Sequence, residues 1–173
     1  MYKRQSLFCK KLYPGEPKRG RKSLFQSIEV LDAIKPRGTT SHRAVADQMD
    51  SLLKSTSLVV LISDLLGETE DVLYSIYRLA GHELVVIQVL AGSEMELDYG
   101  GDIKFVDPEG SEPVITRITD AERDEYLKRL SQHNNRIQEA CSQVGADYFL
   151  FASDRPVFDA FSEMLSRAVV WKA

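Results

Sequence analysis

The sequence predicts an α/β fold in which helices flank a mainly parallel sheet in three layers. Three apolar runs indicate buried strands, at Leu58–Ile62, Glu83–Leu90 and Tyr148–Ala152. Segments with helical spacing separate these runs, and strands that alternate with helices are typical of a parallel sheet. The 173 residues leave room for one domain, and a hydrophobic content of 43% is ordinary for a globular protein.

The first of these runs carries the clearest strand signal. Leu58–Ile62 is continuously apolar and rich in β-branched residues, which suits a central parallel strand covered on both faces. The run ends abruptly at Ser63 and Asp64. Further along, residues 103–106 and 114–118 are predicted to form a short antiparallel pair around a turn that contains Pro and Gly.

Helical spacing and capping residues place the helices of the first half. A first helix is predicted to begin at Ser23 and to end before Pro36. Residues 39–41 offer a choice of hydroxyl N-caps for a second helix. A third helix is predicted over residues 68–80, with a glycine directly after it.

The second half contains two more predicted helices. Residues 119–122 form a capping box for the longest helix, which Gly145 ends. Pro156 opens the last helix. Its large apolar residues are predicted to point inward: Phe158, Phe161 and Leu165.

Charge is unevenly spread along the chain. Residues 1–22 carry eight basic residues against one acid, Glu16, a net charge of +7, whereas the remainder carries 14 basic and 25 acidic residues, a net charge of −11. The basic N-terminal segment is predicted to contain short edge strands, and residues 23–173 are predicted to form the α/β domain. Few aromatic residues interleave with the basic ones, so a solvated or protein-facing segment is favoured over a nucleic-acid interface.

Other features of the sequence predict a cytoplasmic protein. No apolar run approaches the roughly 18 residues that span a bilayer, and no apolar core follows the N-terminal charges as in a signal peptide. Cys9 and Cys141 lie far apart and are expected to be reduced thiols. His42, His82 and His133 lack metal-binding spacing and are expected to be surface or half-buried side chains.

Chemistry is expected at the carboxyl ends of the strands, because ligands of open α/β sheets gather there. Three places qualify, at residues 63–64, 91–93 and 153–154. The carboxylate of Asp64 can bind a hard cation, accept a phosphoryl group or cap the following helix, and all three roles stay open. For Asp154, which precedes Pro156, helix capping is favoured.

An ordered set of motifs runs through the whole chain. It comprises Pro-Lys-Arg-Gly-Arg at 17–21, Pro-Arg-Gly-Thr-Thr at 36–40, Val-Val-Leu-Ile-Ser-Asp-Leu at 59–65, Gly-His-Glu at 81–83 and Gly-Ala-Asp-Tyr at 145–148. With this ordered set the sequence resembles the bacterial "domain of unknown function 58" family, whose conserved region has a von Willebrand factor A-like fold.

The resemblance implies a metal-ion-dependent adhesion site. In von Willebrand A domains, an Asp-x-Ser-x-Ser loop, a Thr from a second loop and an Asp from a third surround Mg²⁺ at the carboxyl end of the sheet. Here the Thr would be Thr40, with Thr39 as its neighbouring alternative, and the third-loop Asp would be Asp64. A partner's carboxylate completes such a shell, so the resemblance implies a non-enzymatic protein-interaction module. Family members often neighbour MoxR-type AAA ATPases, which makes such an ATPase the expected partner.

The sequence departs from the family pattern in one respect. It contains no Asp-x-Ser-x-Ser loop, and in the family that loop follows the first, central strand, which would lie before Met1. The chain is therefore interpreted as a fragment, the C-terminal portion of a family member. Leu58–Ile62 would then lack one neighbouring strand and expose unpaired backbone groups. Thr40 and Asp64 alone are expected to bind Mg²⁺ weakly or not at all.

Two other functions are weighed for Asp64. A receiver-like phosphorylation switch would use it as the phosphoryl acceptor, but such a domain needs an acidic pair after its first strand and a Lys after a late strand. The late strand here ends in Ala-Ser-Asp at 152–154. A Mg²⁺-dependent phosphotransfer enzyme would need several clustered carboxylates. The interaction module is therefore favoured over both alternatives.

Overall fold

Helices and strands alternate along the chain, as the sequence predicts. The computed structural model describes residues 8–9, 11–12, 20–33, 41–97, 102–105, 114–117 and 119–167. Its strands are β1 (Phe8–Cys9), β2 (Lys11–Leu12), β3 (Leu58–Ser63), β4 (Glu83–Leu90), β5 (Asp102–Phe105), β6 (Val114–Arg117) and β7 (Asp147–Ala152). Its helices are α1 (Arg21–Ala33), α2 (His42–Leu52), α3 (Thr69–Arg78), α4 (Gly92–Glu96), α5 (Asp120–Val144) and α6 (Val157–Arg167).

The three predicted apolar strands form one parallel sheet in the order β3-β4-β7. Ser63 at the end of β3 is registered with Gln88 of β4, and Leu90 at the end of β4 is registered with Ala152 of β7. The predicted α/β class with a parallel sheet is confirmed. Because the strands run in the same direction, their carboxyl ends share one edge of the sheet.

One face of the sheet is covered by α2, α3 and α5. Val59 of β3 and Val86 of β4 lie in one buried cluster with Ile76 of α3 and Ile137 of α5. Cys141 of α5 belongs to the same cluster, and its burial raises the pKa of the thiol to about 12. This free cysteine therefore stays protonated and is a packing residue.

The opposite face is covered by α6, in part. Met164 packs there against residues of β4 and β7: Val85, Ile87, Phe149 and Phe151. With helices on both faces of the sheet, the predicted three-layer arrangement is confirmed. Consecutive residues of β4 face the two clusters in turn, which explains why this strand is apolar without interruption until Gln88.

The predicted inward face of α6 is wrong. Phe158, Phe161 and Leu165 are 77%, 50% and 42% exposed. Ala160 and Met164, four residues apart, form the stripe of α6 that packs on the sheet. The stripe that contains Phe158 and Phe161 lies on a different side of the helix. The larger apolar residues of α6 therefore face outward.

The sequence predicted cover on both faces of β3, but one face is covered only at its start, where Leu58 packs against the cluster around Met164. Val59 is buried, but Val60 and Ile62 on the opposite face are 42% and 64% exposed. Among the described strands, β3 pairs with β4 alone. The prediction of a central position fails because β4 takes the centre of the described sheet.

Two short antiparallel pairs lie outside this sheet. β1 pairs with β2 in the basic N-terminal segment, and β5 pairs with β6, which confirms the predicted antiparallel pair. No helix in the described part of the chain is both long enough and apolar enough to cross a membrane.

Candidate functional site

Asp64 lies directly after β3, at the edge of the sheet where the strands end. Its Oδ1 accepts a hydrogen bond of 3.3 Å from the backbone N–H of Leu66 and another of 3.3 Å from the hydroxyl of Ser63. Helix α3 begins only at Thr69, with Glu68 at its N-cap position. Capping of the following helix, one of the predicted roles of Asp64, is therefore wrong, and its exposed carboxylate instead closes a turn within the loop.

The next residue, Leu65, has an unusual backbone conformation. Its φ of 55° lies in the left-handed region, which costs a residue with a Cβ about 1–2 kcal/mol. Its side chain is completely buried in the cluster beneath α3 and α5. Its N–H donates to the hydroxyl of Ser63 at 3.2 Å. Burial of the leucine and the surrounding hydrogen bonds offset the strain and hold the turn in one conformation.

Gln88 supports this turn from the neighbouring strand. It is a fully buried polar residue in the centre of the sheet. Its Nε2 donates to the backbone carbonyl of Asp64 at 2.9 Å and to Oδ1 of Asn134 at 3.1 Å. Its Oε1 accepts from the hydroxyl of Tyr148 at 2.6 Å. Every polar atom of the Gln88 amide group thus has a partner, which removes the penalty for burying it.

His133 supports the same turn from α5. Its Nε2 lies 2.6 Å from the backbone carbonyl of Leu65, and its Nδ1 lies 2.9 Å from Oγ1 of Thr69. A carbonyl only accepts, so Nε2 carries the proton and donates. In the neutral ring Nδ1 then accepts from the Thr69 hydroxyl. The prediction of a half-buried histidine is confirmed for His133.

A second histidine lies close to this turn. His42, at the start of α2, is buried, contrary to the expected surface or half-buried position. Its ring packs closely against Gly67, where a Cβ would lie 3.2 Å from Cδ2 of the ring. Burial lowers the pKa of His42, and the charges of Asp64 and Asp71 oppose that shift in part.

Of the two predicted metal ligands, only Asp64 lies among the described residues. Thr40 and its alternative Thr39 lie outside the described residues, whereas Ser41, the third hydroxyl of that segment, is the N-cap of α2. Over the described ranges, no three His, Cys, Asp or Glu side chains are grouped to hold a metal ion. The hard carboxylate oxygens of Asp64 suit a Mg²⁺ ion that keeps most of its water ligands.

The other two places predicted from the sequence, at residues 91–93 and 153–154, contact each other. A Cβ on Gly92 would lie 3.0 Å from Oδ2 of Asp154, so the loops after β4 and β7 touch. Asp64 follows β3, two strand spacings or about 10 Å from β7. The carboxyl edge therefore presents Asp64 and Asp154 as separate carboxylates and not as one cluster.

A groove of about 570 Å³ runs along the outer edge of β7, between α5 and α6. Asn134 and Tyr148, the two side chains bonded to Gln88, line it. Sequence patterns did not indicate Gln88, Asn134 and Tyr148 as parts of a site. Gln88 had a visible signal, since it is a lone polar residue within an apolar strand.

Comparisons with known proteins agree with this fold. The crystal structure of the conserved hypothetical protein BatB from Bacteroides thetaiotaomicron is similar to this chain, with a TM-score of 0.53 and 13% sequence identity. The similarity covers 96% of this chain and 78% of that chain. No curated protein matches. The family model "Protein of unknown function DUF58" matches residues 9–136, which is most of the chain. The chain therefore belongs to the DUF58 family.

Proposed function

We propose that this protein is a non-enzymatic, von Willebrand A-like interaction module that meets its protein partner at the carboxyl edge of the sheet, around Asp64. The observation that carries the proposal is the exposed carboxylate of Asp64 on a turn whose backbone is held by Gln88 and His133. A charged group on a rigid backbone loses little conformational freedom on binding, which favours its use in recognition.

Exposed apolar surface gives a second line of support. Val60 and Ile62 are exposed neighbours on one face of β3, and Phe158 and Phe161 share an exposed stripe of α6. Contiguous apolar surface of this kind is typical of protein–protein contact sites. An interaction partner would remove both surfaces from water.

The proposal includes a weakly held divalent cation and a MoxR-type AAA ATPase as the partner. Mg²⁺ commonly binds through one or two carboxylates while it keeps several waters, and Asp64 offers one such ligand. The choice of partner rests on the resemblance described above. A carboxylate of the ATPase would then complete the ligand shell of the ion.

Metal titration tests the first part of the proposal. We expect Mg²⁺ to bind this chain with a Kd of about 1 mM or weaker, corresponding to no more than about 4 kcal/mol. Mn²⁺ serves as the paramagnetic probe, and it should broaden the amide signals of Leu65 and Leu66 in an NMR spectrum. Asp64→Asn should abolish the broadening. Micromolar Mg²⁺ binding in calorimetry would contradict an incomplete site.

Partner capture tests the second part. Asp64→Ala should lower the affinity for a MoxR-type ATPase about tenfold, a loss of about 1.4 kcal/mol. The melting temperature should fall only slightly, because the two hydrogen bonds to the exposed Oδ1 are long at 3.3 Å. Asp154→Ala is the matched control, because it removes a carboxylate from the other end of the same edge. Equal losses for both variants would contradict a specific role of Asp64. Stable phosphorylation of Asp64 by acetyl phosphate would favour the receiver-like switch instead.

A further inference from the structure

We propose that Gln88 and His133 are positioning residues that together clamp the Asp64–Leu65 turn and so set the direction of the Asp64 carboxylate. This inference rests on the proposed function, in which Asp64 is the contact residue. The clamp consists of two N–H groups from separate elements, each donating to one of two consecutive backbone carbonyls. Neither residue touches the Asp64 carboxylate itself in these hydrogen bonds, so both act through the backbone.

The turn needs such a clamp because its local sequence does not favour the conformation. Leu65 has a φ of 55°, a region that leucine avoids. The local hydrogen bonds, from Leu65 N–H to Ser63 and from Leu66 N–H to Asp64, are long at 3.2 and 3.3 Å. The bonds from Gln88 and His133 are shorter, at 2.9 and 2.6 Å, and connect residues 24 and 68 positions apart in sequence. Tertiary contacts therefore determine this turn.

Each member of the clamp is itself held in one orientation. Asp64 O only accepts, so the amide of Gln88 must direct Nε2 towards it, and the Tyr148 hydroxyl supports this orientation by donating to Oε1. The Leu65 carbonyl only accepts, so Nε2 of His133 carries the proton, and the Thr69 hydroxyl, 2.9 Å from Nδ1, holds the orientation of the ring. Because both donors have a fixed orientation, they fix the positions of the Asp64 and Leu65 carbonyl oxygens and so the conformation of the turn.

Amide hydrogen exchange of Leu65 and Leu66, followed by NMR in the full chain, tests the clamp. His133→Phe removes the donor to Leu65 O and should raise exchange at these two amides at least about tenfold, while exchange in the core of β4 stays unchanged. His133→Gln places an amide N–H at about the position of Nε2 and should restore protection. Gln138→Leu is the control on the same helix, because Gln138 is exposed and faces the groove.

Thr69→Val is a nearly isosteric substitution, so this variant is expected to fold like the unsubstituted chain. It keeps the shape of the side chain but removes the hydroxyl that orients the His133 ring through Nδ1, so exchange at Leu65 should rise by a smaller factor. Mn²⁺ broadening of the same amides should weaken in His133→Phe and recover in His133→Gln. Unchanged exchange at both amides in His133→Phe and Thr69→Val would overturn the clamp. Absence of Mn²⁺ broadening in the unsubstituted chain would overturn the cation part of the proposed function, and the exchange result would still decide the clamp.

Discussion

Removal of the Tyr148 hydroxyl should destabilise the protein measurably, although it deletes a single oxygen atom. This hydroxyl donates to Oε1 of Gln88 at 2.6 Å, and Gln88 is completely buried. Burial raises the pKa of Tyr148 to about 12, so the hydroxyl remains a donor throughout the accessible pH range. Tyr148→Phe would leave a buried carbonyl oxygen without this donor.

The size of the effect follows from the burial of that oxygen. An unsatisfied buried acceptor costs about 1–3 kcal/mol, and access from the β7 groove should bring the loss to about 1–2 kcal/mol. With an m-value of about 2 kcal/mol/M, the urea midpoint should fall by about 0.5–1 M while m stays constant. Circular dichroism across a urea titration measures this shift.

Tyr77→Phe is the matched control for this substitution. Tyr77 also donates its hydroxyl to a glutamine, Gln143, at 2.7 Å, but its side chain is 48% exposed. Water can replace that bond, so the expected loss is below about 0.5 kcal/mol. Equal midpoints for the two variants would contradict this expectation, because they would show that the burial of Gln88 does not decide the loss of stability.

Three further outcomes are expected. Because the pKa of His42 is lowered in the folded protein, the unfolded chain binds a proton at this histidine more readily. Stability should therefore fall as the pH drops below the ordinary value of 6.5. A His42→Gln variant should lose that dependence in thermal melts between about pH 7 and 5. Gly145→Ala should cost about 1 kcal/mol in urea titrations, because Gly145 ends α5 with a φ of 71°. Gly81→Ala is the control and should be near neutral, because Gly81 has open space around it and no positive φ. Similar losses of stability for the two variants would argue against backbone strain at Gly145. Thr119→Ala should cost about 1 kcal/mol because Thr119 caps α5 through the N–H of Glu122, and an unchanged melting temperature would contradict this role.

Local signals in the sequence predicted most of the described elements. The strand Glu83–Leu90 has the predicted bounds, because a glycine before the apolar run and a loop of small residues after it mark where the strand begins and ends. The capping box at Thr119 and the stop at Gly145 also lie where predicted, because both depend on bonds within a few residues. Helix α4 was missed, since its five residues carry no apolar period.

Features that depend on distant contacts could not be predicted in the same way. The outward face of α6 is decided by which stripe meets the sheet, and Met164 with Ala160 fits there in place of the larger aromatic residues. The sequence located Asp64 at the end of a strand, but its surroundings come from β4 and α5. His133 lies 68 residues from the carbonyl that it binds, and no spacing rule connects the two.

The register of β3 against β4 links the core to the candidate site. Ser63 is paired with Gln88, and Leu61 is paired with Val86, so the same alignment buries Val86 in the core and places the Gln88 amide beneath the Asp64 carbonyl. A slip of one residue would turn Gln88 to the α6 face and expose the turn's carbonyl. Because the hydrophobic core resists that slip, core packing also fixes the position from which Asp64 extends. The position of the exposed Asp64 carboxylate therefore depends in part on two fully buried residues of β4, Val86 and Gln88.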